Sequence, residues 1–362
     1  MSTAFEKFDG FGPSLTNQTT FENPLLFVNW NLGNHCTYKC SYCAKECHDG
    51  SFSWPTLGEA VKTVNTIDRI FKTLHKKKTI FFELLGGEVT LWKDFEGLID
   101  AIHQTKNKVM LVTNGIRTLD WWERHAEYFH HVTLSYHPEF ADPKHLTEVS
   151  NILSRKGVSV CLLLLMYSKK WDDCVAAHAY FKKFSKANTI SLQKLTLLPS
   201  SKFAQEAAPD AKVNQDWPYL DEQLAWMKSN SIHANKLPWL TLLTGKRAKE
   251  LKNQFFKRNT KKASGMMSNS FLTTNNLNNW QGWNCYVGID TLYLEQNGDI
   301  KRSVMCGVSP PLGSWRRVDQ LEKVENLDSV RWPTTPVICP HKSCYCSHDF
   351  KARKETTLHQ ST

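Results

Sequence analysis

The sequence predicts an α/β fold, a partial (β/α)6 TIM-like barrel followed by a smaller C-terminal domain built on a β-hairpin. Six short apolar runs alternate with helix-spaced patterns, and this alternation stops after Pro199. Continuously apolar strands separated by helices indicate a parallel sheet covered on both faces. Six units are fewer than the eight that close a barrel, so we expect a partial one. A length of 362 residues allows a second domain.

The elements of the barrel follow from the period of their apolar residues. Strands are apolar in continuous runs, whereas helices carry apolar residues every three or four positions. The expected strands cover residues 26–31, 79–85, 108–113, 131–136, 158–165 and 189–197. The expected helices cover residues 57–74, 95–106, 121–129, 145–155 and 171–186. We therefore predict an irregular lead-in at 1–25 and a core domain at 26–198.

The remainder of the chain divides into a linker with a basic segment at 199–264 and a C-terminal domain at 265–362. One helix is expected at 221–229, and a hairpin is expected around the Asn297-Gly298 turn. Eight basic residues against Glu250 lie between 245 and 262 and account for most of the net charge of +10. This segment is either a solvated helix face or a contact for a phosphate-bearing substrate.

Composition excludes several classes of protein. Hydrophobic residues make up 41% and charged residues 22% of the chain, which is typical of a globular fold rather than a disordered one. The most apolar window, 158–166, is far shorter than the roughly 18 residues of a membrane helix. The first residues lack the pattern of a secretory signal. We expect a cytoplasmic protein without a membrane partner.

The eleven cysteines are clustered, which indicates metal binding rather than disulfides in a reducing compartment. Cys36, Cys40 and Cys43 form C-x3-C-x2-C directly after the first strand. Three such thiolates can hold three irons of a cubane cluster and leave the fourth iron open. The alternative is a zinc loop completed by Cys47 or His48. The spacing favours the iron–sulfur cluster.

This motif, with the aromatic Tyr42 before its last cysteine and a six-unit βα array around it, resembles the radical SAM superfamily. The resemblance implies a [4Fe–4S] cluster on Cys36, Cys40 and Cys43 whose open iron chelates S-adenosyl-L-methionine. It also implies one-electron cleavage of this cofactor to a 5′-deoxyadenosyl radical that abstracts hydrogen from substrate. An electron donor such as flavodoxin or ferredoxin is implied as a partner.

Polar residues at the ends of later strands match the same family in order. Gly86-Gly87-Glu88 resembles its GGE motif, which binds the methionine amino group, although Val89-Thr90 follows where the family commonly has proline. Strand ends in this architecture carry the chemistry, whereas each residue taken singly also suits a simple βα turn. The implied cofactor-binding residues are Tyr42, Gly86, Gly87, Glu88, Thr113, Asn114, Ser135 and Met166.

The C-terminal cysteines resemble the twitch or SPASM extensions of that family, which carry an auxiliary [4Fe–4S] cluster. Five thiols suffice for one fully ligated cluster with one left over. The candidates are Cys285, Cys306, Cys339, Cys344 and Cys346, of which one among the last three is expected not to be a ligand. The alternative is a zinc knuckle using His341 or His348.

The resemblance implies hydrogen abstraction from a substrate. Because the lead-in is short, we expect that substrate to be a small molecule, such as a sugar, nucleotide or amino-acid derivative. The auxiliary cluster would relay an electron or bind substrate. Alternatives are a nucleic acid, which is not favoured, a peptide supplied by a partner because the lead-in is short, or a zinc-stabilised binding protein. Candidate catalytic residues are Tyr136, His137 and Glu139 after the fourth strand, for which packing or turn stabilisation is the competing interpretation.

Overall fold

The computed structural model describes residues 25–74, 76–77, 79–197, 215–216, 218–230, 279–303, 312–315, 332–342, 344, 351–352 and 354–355. The chain divides into two compact units. The barrel unit comprises Trp30–Val64 and Phe82–Ile232, and the hairpin unit comprises Met1–Asn29, Asn65–Phe81 and His233–Thr362. The basic segment at 245–262 lies outside the described residues, as does the predicted lead-in apart from Leu25.

The barrel unit contains the carboxyl-terminal parts of its first two strands and the whole of the next four. These strands lie in the sheet in chain order, β1 to β6. Their bounds are Leu25–Asn31 (β1), Thr79–Leu85 (β2), Lys108–Thr113 (β3), Phe129–Tyr136 (β4), Ser159–Met166 (β5) and Thr189–Lys194 (β6). The pairs β3–β4, β4–β5 and β5–β6 are parallel. The predicted α/β fold with a parallel sheet is therefore confirmed.

Helices connect these strands. Their bounds are Leu57–Leu74 (α1), Phe95–Gln104 (α2), Leu119–His125 (α3), Pro143–Arg155 (α4) and Trp171–Phe184 (α5). After β6, two short strands pair with each other, Thr196–Leu197 (β7) and Gln215–Asp216 (β8). A sixth helix, Asp221–Asn230 (α6), follows them. None of the helices in the described residues is long and apolar enough to cross a membrane.

The third helix and fourth strand begin two residues earlier than predicted. Thr118 caps α3, because its side chain accepts a hydrogen bond from the Trp121 amide. Phe129 is 4% exposed and pairs with Val109 of β3, so it belongs to the strand rather than to the preceding helix. A single 3-10 turn, Ala126–Tyr128, separates the two elements.

The hairpin unit contains the expected hairpin, formed by Thr291–Leu294 (β10) and Asp299–Lys301 (β11). The strand order there is Gly313–Ser314 (β12), β11, β10 and then β1. A separate three-stranded sheet places Asn284–Cys285 (β9) between Val337–Ile338 (β13) and Lys354–Glu355 (β14). The Lys77 ammonium lies 3.2 Å from the Asp290 carboxylate, and both side chains are buried. This ion pair joins the turn before β2 to the start of the hairpin.

Candidate active site at the strand ends

The loop after β1 carries the three cysteines of the C-x3-C-x2-C motif as reduced thiols. Cys40 is buried, and Cys36 and Cys43 are half-buried. The Cys43 amide donates to the Cys40 carbonyl at 3.0 Å, which turns the chain between them. Burial raises the pKa of Cys40 to about 12 and also raises the pKa of Cys36. Because the thiolate is the metal-binding form, ligation at these buried sulfurs displaces protons.

The Gly86-Gly87 pair after β2 lies directly against this loop. The Gly87 amide donates to the Gly33 carbonyl at 3.0 Å, and the Glu88 amide donates to the His35 carbonyl at 2.6 Å. A Cβ atom at Gly87 would stand 2.2 Å from the His35 carbonyl oxygen. Gly86 has a φ of 152°, and a Cβ there would stand 2.3 Å from the Gly33 oxygen. Only glycine permits this approach of two backbones.

The Glu88 carboxylate is fully buried and points into the protein. It accepts hydrogen bonds from the Thr90 amide and hydroxyl, from the Thr113 hydroxyl and, at 2.7 Å, from the Asn114 amide. Burial raises the pKa of Glu88, and these donors act in the opposite direction. The carboxylate therefore ties the end of β2 to the end of β3.

Asn114 extends from the end of β3 toward the cysteine loop. Its carboxamide nitrogen lies 3.9 Å from Cys36 Sγ, and its carboxamide oxygen accepts a bond from the Ile116 amide at 3.0 Å. The contact with sulfur is long, as hydrogen bonds to sulfur are. Asn114 thus places one donor on the first cysteine of the motif.

The segment after β4 holds the other side of the loop. Glu139 accepts two bonds from Ser41, one from the amide and one from the hydroxyl, both at 2.7 Å. The Ser41 hydroxyl also lies 3.0 Å from the Tyr167 hydroxyl. The Nδ1 atom of His137 lies 3.0 Å from the Tyr42 hydroxyl and 3.4 Å from Cys40 Sγ. Two of the predicted catalytic candidates therefore contact the cysteine loop.

The remaining candidates lie at strand ends with buried side chains. Ser135 is 7% exposed and Met166 is 0% exposed. The Met166 carbonyl accepts a hydrogen bond from the Tyr219 hydroxyl at 2.5 Å. Tyr136 packs its ring edge-on against Phe181 of α5 at 5.6 Å, and burial raises its pKa to about 12. The ring of Tyr136 thus packs at the interface between β4 and α5.

Two contacts of the loop were not predicted. Asn34, fully buried, donates to the Asp49 carboxylate at 2.6 Å and accepts from the Phe52 amide at 2.9 Å. Ser41 bonds Glu139, although ninety-eight positions separate them. For the Asn34 contacts, the only signal in the sequence was an asparagine beside Gly33, which is a weak one. For the contact between Ser41 and Glu139, the sequence holds no signal.

Three C-terminal cysteines come together in the hairpin unit. Cys285 of β9, Cys339 after β13 and Cys344 belong to one buried cluster. Trp280 and Val287 pack in the same cluster. The Cys339 amide donates to the Trp283 carbonyl at 2.8 Å. Cys306 and Cys346, the other predicted ligands, lie outside the described residues.

Residues 30–184 match the family model of the Radical SAM superfamily. These residues are therefore similar to the radical SAM domain. The match begins inside β1, contains the cysteine loop and ends with α5, so it covers all the contacts of the loop reported above. The matching family implies a [4Fe–4S] cluster and S-adenosylmethionine as cofactors.

Proteins similar to part of this chain include two bacterial proteins named GTP 3′,8-cyclase. The one from Actinobacillus pleuropneumoniae serotype 3 (strain JL03) is 28% identical over 109 residues, which are 29% of this chain and 31% of that relative. The one from Vibrio cholerae serotype O1 (strain ATCC 39541 / Classical Ogawa 395 / O395) is 31% identical over 99 residues, 27% of this chain and 29% of that relative. The chain thus spans less than a third of the length of these relatives.

A solved structure titled "Native anSMEcpe with bound AdoMet" matches with a TM-score of 0.50 and 14% sequence identity. The match covers 85% of this chain and 83% of that chain. At this identity the likeness concerns the fold alone.

Proposed function

We propose that this chain is a radical SAM enzyme that holds a [4Fe–4S] cluster on Cys36, Cys40 and Cys43 and abstracts hydrogen from a small-molecule substrate. One observation carries the proposal. The three thiols lie on a single loop after β1, inside the segment that matches the family. Contacts from the segments after β2, β3 and β4 hold that loop in place.

The donor set suits a cubane cluster better than a single zinc ion. A cubane takes each thiolate on a separate iron, whereas the four ligands of zinc converge on one point at about 2–2.3 Å. A zinc loop completed by Cys47 or His48 is the competing occupant.

The residues at the strand ends would receive S-adenosylmethionine. When bound, the cluster supplies the electron that cleaves the sulfonium of this cofactor to give the 5′-deoxyadenosyl radical. Since Glu88 is satisfied by donors inside the protein, the backbone of Gly86 and Gly87 receives the methionine ammonium in our proposal. Glu88 would then act by fixing the glycines and Asn114. Thr113, Asn114 and Ser135 would line the ribose, and Tyr42 and Met166 the adenine.

We propose an auxiliary [4Fe–4S] cluster in the hairpin unit. The support is that Cys285, Cys339 and Cys344 share one buried cluster, although two of them lie more than fifty residues from the first. A fourth ligand would come from Cys306 or Cys346. A fully ligated cluster there would relay an electron, and one with an open iron would bind substrate. A zinc knuckle is the competing occupant.

A purine nucleoside triphosphate is the first small molecule to test. The support is the name of the relatives, GTP 3′,8-cyclase, at 28% and 31% identity. Sugars and amino-acid derivatives follow, and a nucleic acid or a peptide brought by a partner is the alternative. Nucleic-acid binding should weaken steeply as salt rises, because phosphate contacts release counterions. A small-molecule substrate should show a much shallower dependence.

Anaerobic reconstitution tests the cofactors first. The protein should turn brown and hold about eight irons per chain if both clusters form. Colourless protein that holds zinc would refute the proposal. Cys43→Ala should abolish cleavage of S-adenosylmethionine, whereas Cys344→Ala should leave uncoupled cleavage intact. Equal loss in both variants would contradict the separate roles of the two clusters.

Deuterium transfer then identifies the substrate class. The reconstituted enzyme is incubated with reductant, S-adenosylmethionine and uniformly deuterated candidates, beginning with GTP. Deuterium in 5′-deoxyadenosine identifies the compound that loses hydrogen. Flavodoxin and ferredoxin are compared as the reductant, with dithionite as the control.

A further inference from the structure

Two polar side chains lie beside Cys40, the middle cysteine of the motif. The Tyr42 hydroxyl lies beside the Cys40 sulfur, where it favours the thiolate. The His137 Nδ1 atom lies 3.0 Å from that hydroxyl and 3.4 Å from the same sulfur. Cys40 is 4% exposed and Tyr42 is 5% exposed. Two polar side chains therefore lie beside one thiol that is almost fully buried.

The direction of these hydrogen bonds follows once the sulfur binds iron. A ligating thiolate has no proton, so it can only accept. The Tyr42 hydroxyl then donates to Cys40 Sγ, and the neutral imidazole of His137 must carry its proton on Nδ1 to face both acceptors. Each donor stabilises negative charge on the sulfur. Because a reduced cluster is more negative than an oxidised one, such donors favour reduction.

We propose that Tyr42 and His137 form a donor pair that raises the reduction potential of the cluster bound at Cys40. The proposal rests on the cluster proposed above. It makes His137 a positioning residue rather than a catalytic one. It also gives the Tyr42 hydroxyl a role of its own, as a donor to the cluster ligand, beside the role of the ring in lining the adenine.

The surroundings hold the imidazole in this position. The ring of Tyr42 stacks on that of His137 with an interplanar angle of 5°, and the ring of Tyr38 packs edge-on against it at 5.8 Å. Two residues further on, Glu139 accepts both bonds from Ser41. Glu139 therefore fixes the register between the segment after β4 and the cysteine loop. The two rings hold the imidazole and Glu139 holds the segment that carries it, so Nδ1 stays beside Cys40.

The test is a redox titration of the reconstituted protein, followed by electron paramagnetic resonance. Tyr42→Phe removes the hydroxyl and keeps the ring. His137→Leu removes the donor, whereas His137→Asn places an amide N–H near the position of Nδ1. Tyr38→Phe is the matched control, because the described contacts of Tyr38 with His137 and Phe140 involve its ring. Cys344→Ala is the background for all variants, so that one cluster dominates the signal.

Tyr42→Phe and His137→Leu should lower the reduction potential. A tenfold loss in the one-electron reduction equilibrium corresponds to about 59 mV, and we expect a shift of this order for each. His137→Asn should recover most of the shift, and Tyr38→Phe should leave the potential unchanged. Unchanged potentials in Tyr42→Phe and His137→Leu would overturn the proposal.

Iron content separates this proposal from the one on which it rests. If the parent protein holds no cluster, the proposed function fails. If it holds one but Tyr42→Phe and His137→Leu both bind no iron while Tyr38→Phe binds it, the pair acts in assembly. The proposal about the potential is then overturned. An equal shift in Tyr38→Phe would also overturn it, since ring packing would explain the effect.

Discussion

Replacing Glu88 by glutamine tests whether this carboxylate supports the site from inside the protein or binds the cofactor itself. Both carboxylate oxygens are occupied. One accepts from the Thr90 amide at 3.2 Å, and the other accepts from the Asn114 amide at 2.7 Å. The Thr113 hydroxyl donates to both oxygens. A glutamine of the same shape replaces one of these acceptors with an NH2 group.

The loss in free energy of unfolding depends on which hydrogen-bond partners of Glu88 can reorient. Hydroxyl groups can rotate to accept from the new NH2, but a backbone N–H cannot. Whichever way the amide is turned, either the Thr90 or the Asn114 N–H faces another donor. A buried donor left without an acceptor costs about 1–3 kcal/mol. Relief from burying a charge, which raises the pKa of Glu88, offsets part of this. We expect a net loss of about 2 kcal/mol.

Two measurements on the cluster-free protein check this value. Urea unfolding gives the change in the free energy of unfolding, and hydrogen exchange followed by mass spectrometry reports the Asn114 amide directly. Glu148→Gln on the exposed face of α4 is the control for the change in charge. If Glu88→Gln changes neither unfolding nor exchange but weakens binding of S-adenosylmethionine, the carboxylate is a direct ligand and the reasoning above is wrong.

Three further substitutions test other contacts. Gly87→Ala should lower iron incorporation, measured after anaerobic reconstitution, because its Cβ would stand 2.2 Å from the His35 carbonyl oxygen. Lys77→Met should lower the free energy of unfolding, measured in urea, by about 3–5 kcal/mol, because Asp290 loses the cation beside it. Burial lowers the pKa of His178 below its ordinary 6.5, so this group contributes stability above pH 6.5 that is lost as pH falls. His178→Gln should therefore flatten the acid side of a stability–pH curve.

Each of these predictions has a matched control. Gly58→Ala meets no atom within 4 Å and should bind iron normally, so an equal loss in both glycine variants would discount the clash. Adding Asp290→Leu to Lys77→Met should restore most of the stability, because no unpaired charge is left. A double variant as unstable as the single one would contradict this. His103 of α2 is exposed, so His103→Gln should leave the acid side of the stability–pH curve unchanged. If both histidine variants flatten the curve equally, the slope does not come from His178.

Much of the fold could be predicted because local periodicity decides it. The runs at 79–85 and 108–113 became strands with the predicted bounds, since continuous apolar residues suit a sheet buried on both faces. The start of α3 was missed, because the Thr118 cap and the burial of Phe129 depend on neighbouring elements. The Asn297-Gly298 turn predicted the hairpin between β10 and β11.

The site was predictable only in outline. The spacing of Cys36, Cys40 and Cys43 marked the loop, and the glycine pair marked a close approach of backbones. The sequence placed Glu88, His137 and Glu139 at strand ends without indicating where their side chains point. Glu88 turns inward to Thr113 and Asn114, and Glu139 turns to Ser41. These directions depend on partners that are distant in the chain.

The sequence by itself determined the class of fold and the ligand-bearing loop. The apolar period selects strand or helix within a few residues, and three cysteines within eight positions lie on one loop whatever the rest of the chain does. Only the tertiary structure decided what surrounds each sulfur. Asn114 and His137 lie 78 and 97 positions from the cysteines they face, and parallel strands bring such residues to one edge of the sheet. A pattern read over a few residues holds no information about contacts of that range.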